Sequence, residues 1–304
     1  MISETLSKTI LKHKTILILG NGYIGFELFK HLTVEKHDVT IVDRKSLDYH
    51  DSHTLWKYII NNDIGTIINT FGFTGTPNID EAESRKEDCW NLNVVVPQKV
   101  ASLCERAEVR YIHISSGCIY SGYEYNFSEN YTPNFGLFDD SSFYSKSKHA
   151  FETLTRDLKM KLLRIRMPVS DDIESPRNYL KKIMDYPNLI DFKNSKTYIP
   201  DLCGFVNALI INPETNWNAK QDIYNVVNPD PLTTKEVIQK LNDMNLGGWK
   251  KLNPNWVDVK SLKMAAPRSN CILDNHKASG LHPFLTETQF MNGICNKING
   301  VCAS

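Results

Sequence analysis

The feature that most constrains the fold is a glycine-rich turn near the start of the chain, in the stretch TILILGNGYIGFELFKHL (residues 15–32). The apolar run at 15–19 predicts a β-strand, and the apolar spacing after the turn predicts a helix. Between them Gly20, Gly22 and Gly25 form a GxGxxG pattern. The first glycine permits a tight turn, the second lets a pyrophosphate approach the backbone, and the third lets helix and strand pack closely. The stretch therefore predicts a dinucleotide site, with a plain strand-to-helix turn as the alternative.

Strands and helices alternate through the first half of the chain. This alternation predicts an α/β fold, a Rossmann-like doubly wound parallel sheet in which ligands bind at the carboxyl ends of the strands. Strands are predicted at 38–44, 66–72 and 109–116, and helices at 53–62 and 86–106.

The alternation loosens after about residue 168. We therefore predict a dinucleotide-binding Rossmann domain over 1–167 and a small C-terminal substrate-binding lobe over 168–304, interleaved with the last elements of the sheet. Within the lobe, Ser175 and Pro176 predict the N-cap and the first residue of a helix.

The composition excludes several classes of function. The 304 residues carry 35 Lys and Arg against 35 Asp and Glu, and this zero net charge gives no reason to expect a nucleic-acid or membrane partner. No apolar run approaches the roughly 20 residues of a membrane span. The seven cysteines are scattered, without a CxxC pair or metal-ligand spacing, which indicates a reducing, cytoplasmic location and no metal site.

The end of the second predicted strand bears on which dinucleotide binds. Asp43 lies 18 residues after Gly25, where an acid commonly binds the adenosine ribose and favours NADH. Arg44 comes next and suits a 2′-phosphate, so the pair leaves both cofactors open. We expect NADPH, with NADH as the alternative. The predicted cofactor-binding residues are Gly20, Gly22, Tyr23, Ile24, Gly25, Asp43, Arg44, Phe71, Gly72, Tyr144 and Lys148.

A proton donor is predicted in the segment YSKSK. Tyr144 and Lys148 are four residues apart on a predicted helix and so share one face. A nearby ammonium favours the phenolate, so we expect the pKa of Tyr144 to lie below its ordinary value of ~10. Such a tyrosine can protonate a carbonyl oxygen, and Ser116 at a strand end can hydrogen-bond the same oxygen. A solvent-exposed helix face is the alternative for this pattern.

Together, the glycine pattern, the strand-end serine and YxxxK resemble the extended short-chain dehydrogenase/reductases. Within them the chain resembles the nucleotide-sugar 4-keto reductases of the dTDP-4-dehydrorhamnose reductase type, above all the bifunctional 3,5-epimerase/4-reductases of UDP-rhamnose synthesis. The resemblance implies reduction of a UDP-linked 4-keto-6-deoxy sugar to UDP-L-rhamnose or a 2-acetamido relative such as UDP-L-rhamnosamine. The shared segments are GFTGTPNIDEAES (72–84), GCIY (117–120), TPNF (132–135), SFYSKSK (142–148), LRIRMPVSDDIESPRNYLKKI (163–183) and APRSN (266–270).

Cys118 raises the question of a second activity. The hydrogens on the carbons beside a ketone are acidic, and a thiol of lowered pKa is a suitable base for removing one. A packed, inert thiol is the alternative. The resemblance implies that Cys118 is an epimerase base and Lys182 its partner acid, with Lys181 adjacent.

The remaining polar residues of the shared segments are candidates for binding the sugar nucleotide. Arginine suits phosphate oxygens, although a salt bridge is the alternative for Arg268 and a polar turn is the alternative for 72–78. Asn93 is expected to order the backbone near the site. The predicted substrate-binding residues are Thr74, Thr76, Asn78, Asn93, Arg177, Asn178 and Arg268.

Two other functions remain open on the sequence. One is a reductase in which Cys118 is silent, and the other is a non-catalytic regulatory subunit with a reductase fold. By analogy with extended reductases, helices at 86–106 and 143–158 predict a homodimer.

Overall fold

The computed structural model describes residues 15–76, 78–137, 140–243 and 252–298. The strands are β1 (Thr15–Leu19), β2 (Val39–Val42), β3 (Ile64–Asn69), β4 (Arg110–Ser116), β5 (Gly122–Phe127), β6 (Lys161–Ile165), β7 (Pro168–Val169), β8 (Asn188–Leu189), β9 (Thr197–Tyr198), β10 (Asp222–Asn225), β11 (Asn255–Trp256) and β12 (Cys271–Leu273). The α-helices are α1 (Tyr23–Val34), α2 (Ser52–Asn61), α3 (Glu81–Ser84), α4 (Lys86–Trp90), α5 (Val96–Arg106), α6 (Phe143–Leu154), α7 (Tyr179–Asp185), α8 (Ile199–Ile211), α9 (Thr234–Asp243), α10 (His276–Ser279) and α11 (Glu287–Ile298).

Six strands form a parallel sheet in the order β10–β6–β4–β3–β1–β2, which confirms the predicted α/β class. From β1 the chain passes to β2 on one side and to β3 on the other. Leu19, the last residue of β1, is therefore paired with both Val42 and Asn69. A parallel sheet opens a crevice where its strand order reverses, so the ends of β1 and β3 mark the expected ligand site.

The core lies on both faces of this sheet. Alternate residues of β1 point to opposite sides: Leu17 packs in the cluster with α2, α5 and α6, while Ile18 packs in the cluster with α1 and α8. Because both faces are covered, the strand consists of apolar residues rather than of alternating apolar and polar ones.

The long helix predicted at 86–106 is interrupted. Between α4 and α5 the segment Asn91–Val95 forms a π-helical turn, which accommodates one extra residue in the helix. Asn93 lies within this turn and is fully buried. Its amide hydrogen-bonds both the N–H and the carbonyl of Phe73, so the turn aims a polar group at the loop after β3.

The second half of the chain has an apolar cluster of its own. Val169, Leu180, Ile238 and Phe290 pack together apart from the two clusters on the sheet. Strand β10 returns to the main sheet beside β6, as expected for a lobe interleaved with the last sheet elements. The division at residue 167 stays a prediction. Among the described helices, none is both long and apolar enough to cross a bilayer.

Candidate active site

A cavity of about 750 Å³ lies at the carboxyl ends of β1, β3, β4 and β6 and extends toward the lobe. Of the predicted residues, five do not line it: Gly25, Arg44, Thr76, Asn93 and Asn178. The predicted residues that do line it are Gly20, Gly22, Tyr23, Ile24, Asp43, Phe71, Gly72, Thr74, Asn78, Ser116, Cys118, Tyr144, Lys148, Arg177, Lys182 and Arg268.

The glycine turn has the geometry that a dinucleotide requires. Gly20 has φ +104°, a left-handed conformation that favours glycine. A Cβ on Gly25 would overlap the Gly20 carbonyl oxygen, so close packing excludes a side chain there. A Cβ on Gly22 would meet no described atom within 4 Å, since Gly22 faces the open cavity at the N-terminus of α1. The predicted packing roles of Gly20 and Gly25 are confirmed.

The acid at the end of β2 is held in place by its own loop. Asp43 accepts hydrogen bonds from the N–H groups of Lys45 and Ser46 and from the Asn21 amide at 2.9 to 3.1 Å. Hydrogen bonds from Ser46 are the main reason that the pKa of Asp43 lies below its usual range. Arg44 does not line the cavity; its guanidinium lies 3.9 Å from Asp48 and is largely exposed.

An aromatic pair beside the glycine turn was not predicted as such. Tyr49 stacks on Phe71 with ring centroids 4.8 Å apart, and both rings line the cavity. Tyr49 precedes α2 in a polar loop, where nothing in the sequence pattern distinguishes it from a surface residue.

Tyr23 connects the glycine turn to the loop that follows β7. Its hydroxyl donates to Ser170 Oγ at 2.7 Å, and burial raises the pKa of this phenol above its usual range. The Asn178 amide donates to the Ser170 carbonyl at 2.9 Å. The turn and the start of α7 therefore share one hydrogen-bonded link.

Ser116, Tyr144 and Lys148 meet on the floor of the cavity. Helix α6 begins at Phe143 after its N-cap Ser142, whose side chain accepts the Ser145 N–H at 3.1 Å and so places Tyr144 in the first turn. The Tyr144 side chain lines the cavity with Ser116, which favours the phenolate. Lys148, one turn later, places its amine 5.8 Å from the centre of the Tyr144 ring.

The expected direction of the Tyr144 pKa shift is wrong in this structure. Tyr144 is only 8% exposed, and burial, which penalises the phenolate, raises its pKa above the usual range. Ser116 and Arg166 oppose that shift but do not outweigh it. Burial also lowers the pKa of Lys148, so the same surroundings disfavour its charged ammonium form.

Asn93 orders the backbone rather than contacting ligand. Besides Phe73, its amide donates to Ser147 Oγ at 3.0 Å. A Cβ on Gly72 would lie 3.0 Å from Asn93 Oδ1, so the amide sits directly behind the Gly72 backbone. The prediction of a direct substrate contact is therefore wrong, and the backbone-ordering role is confirmed.

Cys118 lines the cavity just beyond β4. Its N–H donates to Ser116 Oγ at 3.3 Å, and the side chains of Ser116 and Ser145 favour the thiolate. The sulfur opens on the cavity but lies deep in the molecule, and burial raises the pKa of the thiol. The structure brings Cys118 to the site, but not with the lowered pKa that a ready base would have.

Two neighbouring lysines of α7 differ in their contacts. Lys181 pairs with Glu174 at 3.3 Å and Asp185 at 3.2 Å. Lys182 lines the cavity, and burial, assisted by Arg177, lowers the pKa of its ammonium. Lys182 is therefore the lysine of this pair placed to exchange a proton with a ligand.

The arginines at the far end of the cavity are engaged with the protein. Arg177 donates to Thr74 Oγ1 at 3.0 Å and to the Gly75 carbonyl at 2.8 Å, and Thr76 contacts the same guanidinium from outside the cavity. Arg268 makes a two-pronged pair with Asp80 at 2.6 and 2.8 Å. The salt-bridge alternative for Arg268 is thus present, although both arginines still line the cavity.

Asn178 is not a ligand-binding residue. Its side chain is fully buried and caps α7 by accepting the Leu180 N–H at 3.0 Å. The helix begins at Tyr179, so the prediction of Ser175 as the cap and Pro176 as the first residue is wrong. Ser175 and Asn178 can both cap a helix, and the buried Asn178 does so here.

Arg166 is a cavity residue that the sequence reasoning missed. It follows β6 directly and is only 5% exposed. The signal was present: a second arginine, two residues after Arg164, stands in the otherwise apolar run LLRIRMPV.

Comparison with known proteins places this site in a family. The family model for the RmlD substrate binding domain matches residues 14–189. A bifunctional dTDP-4-dehydrorhamnose 3,5-epimerase/dTDP-4-dehydrorhamnose reductase of Arabidopsis thaliana is 32% identical over 229 residues, 72% of each protein. A trifunctional UDP-glucose 4,6-dehydratase/UDP-4-keto-6-deoxy-D-glucose 3,5-epimerase/UDP-4-keto-L-rhamnose-reductase of the same plant is 31% identical over 225 residues. The chain spans about a third (32%) of that relative's length.

Solved structures agree on the fold. The UDP-rhamnose synthase L780 of Acanthamoeba polyphaga mimivirus superposes with a TM-score of 0.81 at 24% identity, over 94% of this chain and 99% of that one. The dTDP-4-dehydrorhamnose reductase of Bacillus anthracis, in complex with NADP, gives 0.75 at 21% identity, over 92% and 97%. At these identities the likeness establishes a common architecture.

Proposed function

The chain belongs to the RmlD substrate-binding family, the dTDP-4-dehydrorhamnose reductase type, and from that premise we propose that it is an NAD(P)H-dependent 4-keto reductase. Its substrate is a UDP-linked 4-keto-6-deoxy sugar, and the same site also epimerises that sugar at C3, or at C3 and C5. The observation that carries the proposal is one cavity holding the glycine turn together with Ser116, Tyr144 and Lys148.

The residues on the glycine side fit a nicotinamide dinucleotide. Gly22 leaves open space at a helix N-terminus, Asp43 offers a carboxylate at the end of β2, and Lys148 offers an amine near the reacting centre. A reduced nicotinamide held there supplies hydride to the ketone carbon. We propose NADPH, the dinucleotide whose oxidised form the Bacillus anthracis relative binds. Asp43 lines the cavity while Arg44 does not, so NADH is the cofactor to test beside it.

Tyr144 is the proposed proton donor for the reduction. Burial raises its pKa, so the phenol keeps its proton until the carbonyl oxygen gains negative charge and takes it. Ser116, which lines the same cavity, orients that oxygen. The Lys148 amine stabilises the phenolate left behind, and for this it needs only to lie within one helical turn.

Cys118 and Lys182 are the proposed epimerase pair. The thiolate removes a proton from a carbon beside the ketone, and the electron pair of the broken C–H bond passes to the ketone oxygen. The hydroxyls of Ser116 and Tyr144 stabilise that oxygen, as they do during reduction. Lys182 returns a proton to the other face of the carbon.

The lobe side is proposed to bind the nucleotide. Arg177 and Arg268 line the cavity, and each has an arrangement of donors suited to diphosphate oxygens. The product is UDP-L-rhamnose or a 2-acetamido relative. A two-part division at residue 167, a homodimer and a cytoplasmic location stay predictions.

Product analysis tests the reductase. UDP-4-keto-6-deoxyglucose and its 2-acetamido analogue are each offered with NADPH and with NADH, and NMR gives the stereochemistry of the product. Tyr144→Phe should lower kcat by about 10²- to 10⁴-fold, because the general acid is lost. Tyr131→Phe, a surface tyrosine outside the cavity, is the matched control. Equal turnover by Tyr144→Phe and the wild type on every substrate would refute the proposed mechanism.

A reductase without epimerase activity is the second candidate, and the raised pKa of Cys118 favours it. Incubation of the keto sugar in deuterated water without reduced cofactor separates the two. Deuterium at C3 or C5 that disappears in Cys118→Ser supports the epimerase. No deuterium in the wild type, with reduction intact, leaves the reductase alone.

A further inference from the structure

Arg166 is held by four hydrogen bonds under the turn that carries Cys118. Nη1 donates to the Gly117 carbonyl at 3.1 Å and to Ser269 Oγ at 2.8 Å. Nη2 donates to Asn194 Oδ1 at 2.8 Å and to the Ser269 carbonyl at 3.0 Å. Nε is buried with no hydrogen-bond partner among the described residues. Every partner of this guanidinium is a neutral oxygen.

Among the described residues, three other buried cations, Lys161, Arg164 and Lys196, are paired with acids, whereas Lys148 forms no ion pair with a described acid. Arg164, two residues earlier, pairs with Glu152 at 2.7 Å, and Lys196 pairs with Glu287 at 2.8 Å. Within the described part of the chain, no carboxylate pairs with Arg166. A buried charge without a counter-ion is costly, so its retention in a cavity wall calls for an anion formed there at some stage.

The local packing brings Arg166 against the Cys118 turn. A Cβ on Gly117 would lie 2.4 Å from Leu273 Cδ1 and 3.2 Å from Cγ and Cδ of Arg166, so the glycine leaves room for both side chains. The charged and polar groups that act on the thiol are Lys148, Tyr144 and Ser145 of α6, Ser116 of β4, Cys271 of β12 and Arg166.

We propose that Arg166 is a positioning residue that provides the standing positive charge for the Cys118 thiolate. The inference rests on the proposed epimerase function. When Cys118 transfers its proton to solvent or to a neighbouring base, the guanidinium faces the sulfur anion across the Gly117 peptide. The thiolate then takes the proton from carbon: the C–H bond breaks, an S–H bond forms, and the electron pair moves to the ketone oxygen.

Lys148 cannot supply this charge alone. Burial lowers the pKa of its ammonium, and the same amine serves Tyr144. Among the causes that act on the Cys118 thiol, Arg166 opposes the effect of burial.

Alkylation of the thiol tests the proposal without any substrate. The pH dependence of iodoacetamide labelling at Cys118 is followed by mass spectrometry of its peptide, with Cys118→Ala to identify the signal. Arg166→Gln should move the midpoint upward by about one pH unit, a tenfold loss of thiolate at fixed pH below it. Arg166→Lys, which keeps a cation but loses the fork, should move the midpoint by less than half as much.

A second variant guards against misfolding of Arg166→Gln. Asn194→Asp keeps the size of the side chain and sets a carboxylate at the Nη2 contact, so the guanidinium acquires a counter-ion. The Cys118 midpoint should again rise. The new carboxylate also repels the thiolate directly, so the Arg166 variants decide the question: midpoints of Arg166→Gln and Arg166→Lys that both equal the wild-type midpoint would overturn the proposal.

Deuterium exchange into the keto sugar, run in parallel, separates this inference from the proposed function. If the labelling midpoint of Cys118 depends on Arg166 but the wild type exchanges no deuterium into the sugar, the charge role of Arg166 stands and the epimerase function is refuted. If the wild type does exchange deuterium but neither Arg166→Gln nor Asn194→Asp changes the labelling midpoint, the epimerase function stands and the role of Arg166 is refuted.

Discussion

The two sides of the cavity are built on different principles. The glycine-turn side, formed by Gly20, Gly22, Asp43 and Phe71, is shaped by backbone geometry. The arginine side, formed by Cys118, Arg166, Arg177, Lys182 and Arg268, is shaped by long side chains. On the first side a short sequence pattern determines the conformation. On the second side, the contacts of a residue depend on partners that lie far away in the sequence, as in the pair formed by Arg268 and Asp80.

The difference teaches that a cavity wall made of backbone is rigid before any ligand arrives, whereas one made of paired side chains can exchange its partners. Arg268 already binds a carboxylate, and Arg177 already binds a carbonyl. A ligand phosphate must compete with these contacts, so the arginine side is expected to be tuned by substitutions that the glycine-turn side does not tolerate.

The largest effect is expected on the glycine-turn side. In Gly25→Ala the new methyl group would overlap the Gly20 carbonyl, and the unfolding free energy should fall by about 3 kcal/mol or more. Gly22→Ala, whose methyl group has open space, is the matched control and should melt like the wild type while binding the dinucleotide more weakly. Thermal unfolding and nucleotide titration measure the two; equal stability of both variants would break the comparison.

The pH dependence of solvent exchange into the substrate tests the arginine side of the cavity. A base works when it is deprotonated, and the pKa of Cys118 is raised, so solvent exchange into the substrate should increase about tenfold per pH unit from pH 6.5 to 8.5. A phenol with a raised pKa stays protonated over that range, so the rate of reduction, which uses Tyr144 as the proton donor, should not change with pH. An exchange rate that is already constant at pH 7 would contradict the raised pKa.

Separating Arg268 from its partner gives an effect of intermediate size. Arg268→Gln should raise KM for the sugar nucleotide about tenfold, if the guanidinium leaves Asp80 to hold a phosphate. Asp80→Asn frees the same arginine and should leave KM unchanged or lower it. If both variants raise KM equally, the pair acts only by holding the loop at 78–80.

The smallest effect tests the reassigned cap. Asn178→Ala should cost about 1 kcal/mol of stability, because α7 loses the acceptor at its first turn. Asn178→Ser keeps a side-chain acceptor there without burying a charge and should be milder. Denaturant unfolding gives the stability and steady-state kinetics the KM; a large rise in KM with unchanged stability would restore the ligand-binding interpretation.

The features that were predicted correctly from the sequence are those set by residues close together in the chain. The strand, glycine turn and helix at 15–34, the parallel sheet, and the meeting of Ser116 with Tyr144 all follow from local periodicity and from the edge where parallel strands end. Placing Cys118 and Lys182 at the same cavity needed the family resemblance as well.

What the sequence could not predict depends on burial and pairing. The pKa shifts of Tyr144 and Cys118 are set mainly by how deeply the fold encloses them. The cap at Asn178 was chosen among neighbours of similar chemistry by which of them is enclosed. The sequence does not distinguish Arg166 from Arg164, because whether an acid pairs with either arginine depends on the fold.

The π-helical turn at Asn91–Val95 has a consequence for how this gene can change over time. Each helical residue advances the direction of a side chain by about 100°. A single-codon deletion within the turn would restore regular α-helical winding and rotate either Asn93 or the whole of α5 away from its present orientation. The hydrogen bond from the Phe73 N–H to Asn93 would then be lost. Point mutations can accumulate along this segment, but its residue count is expected to be inherited unchanged.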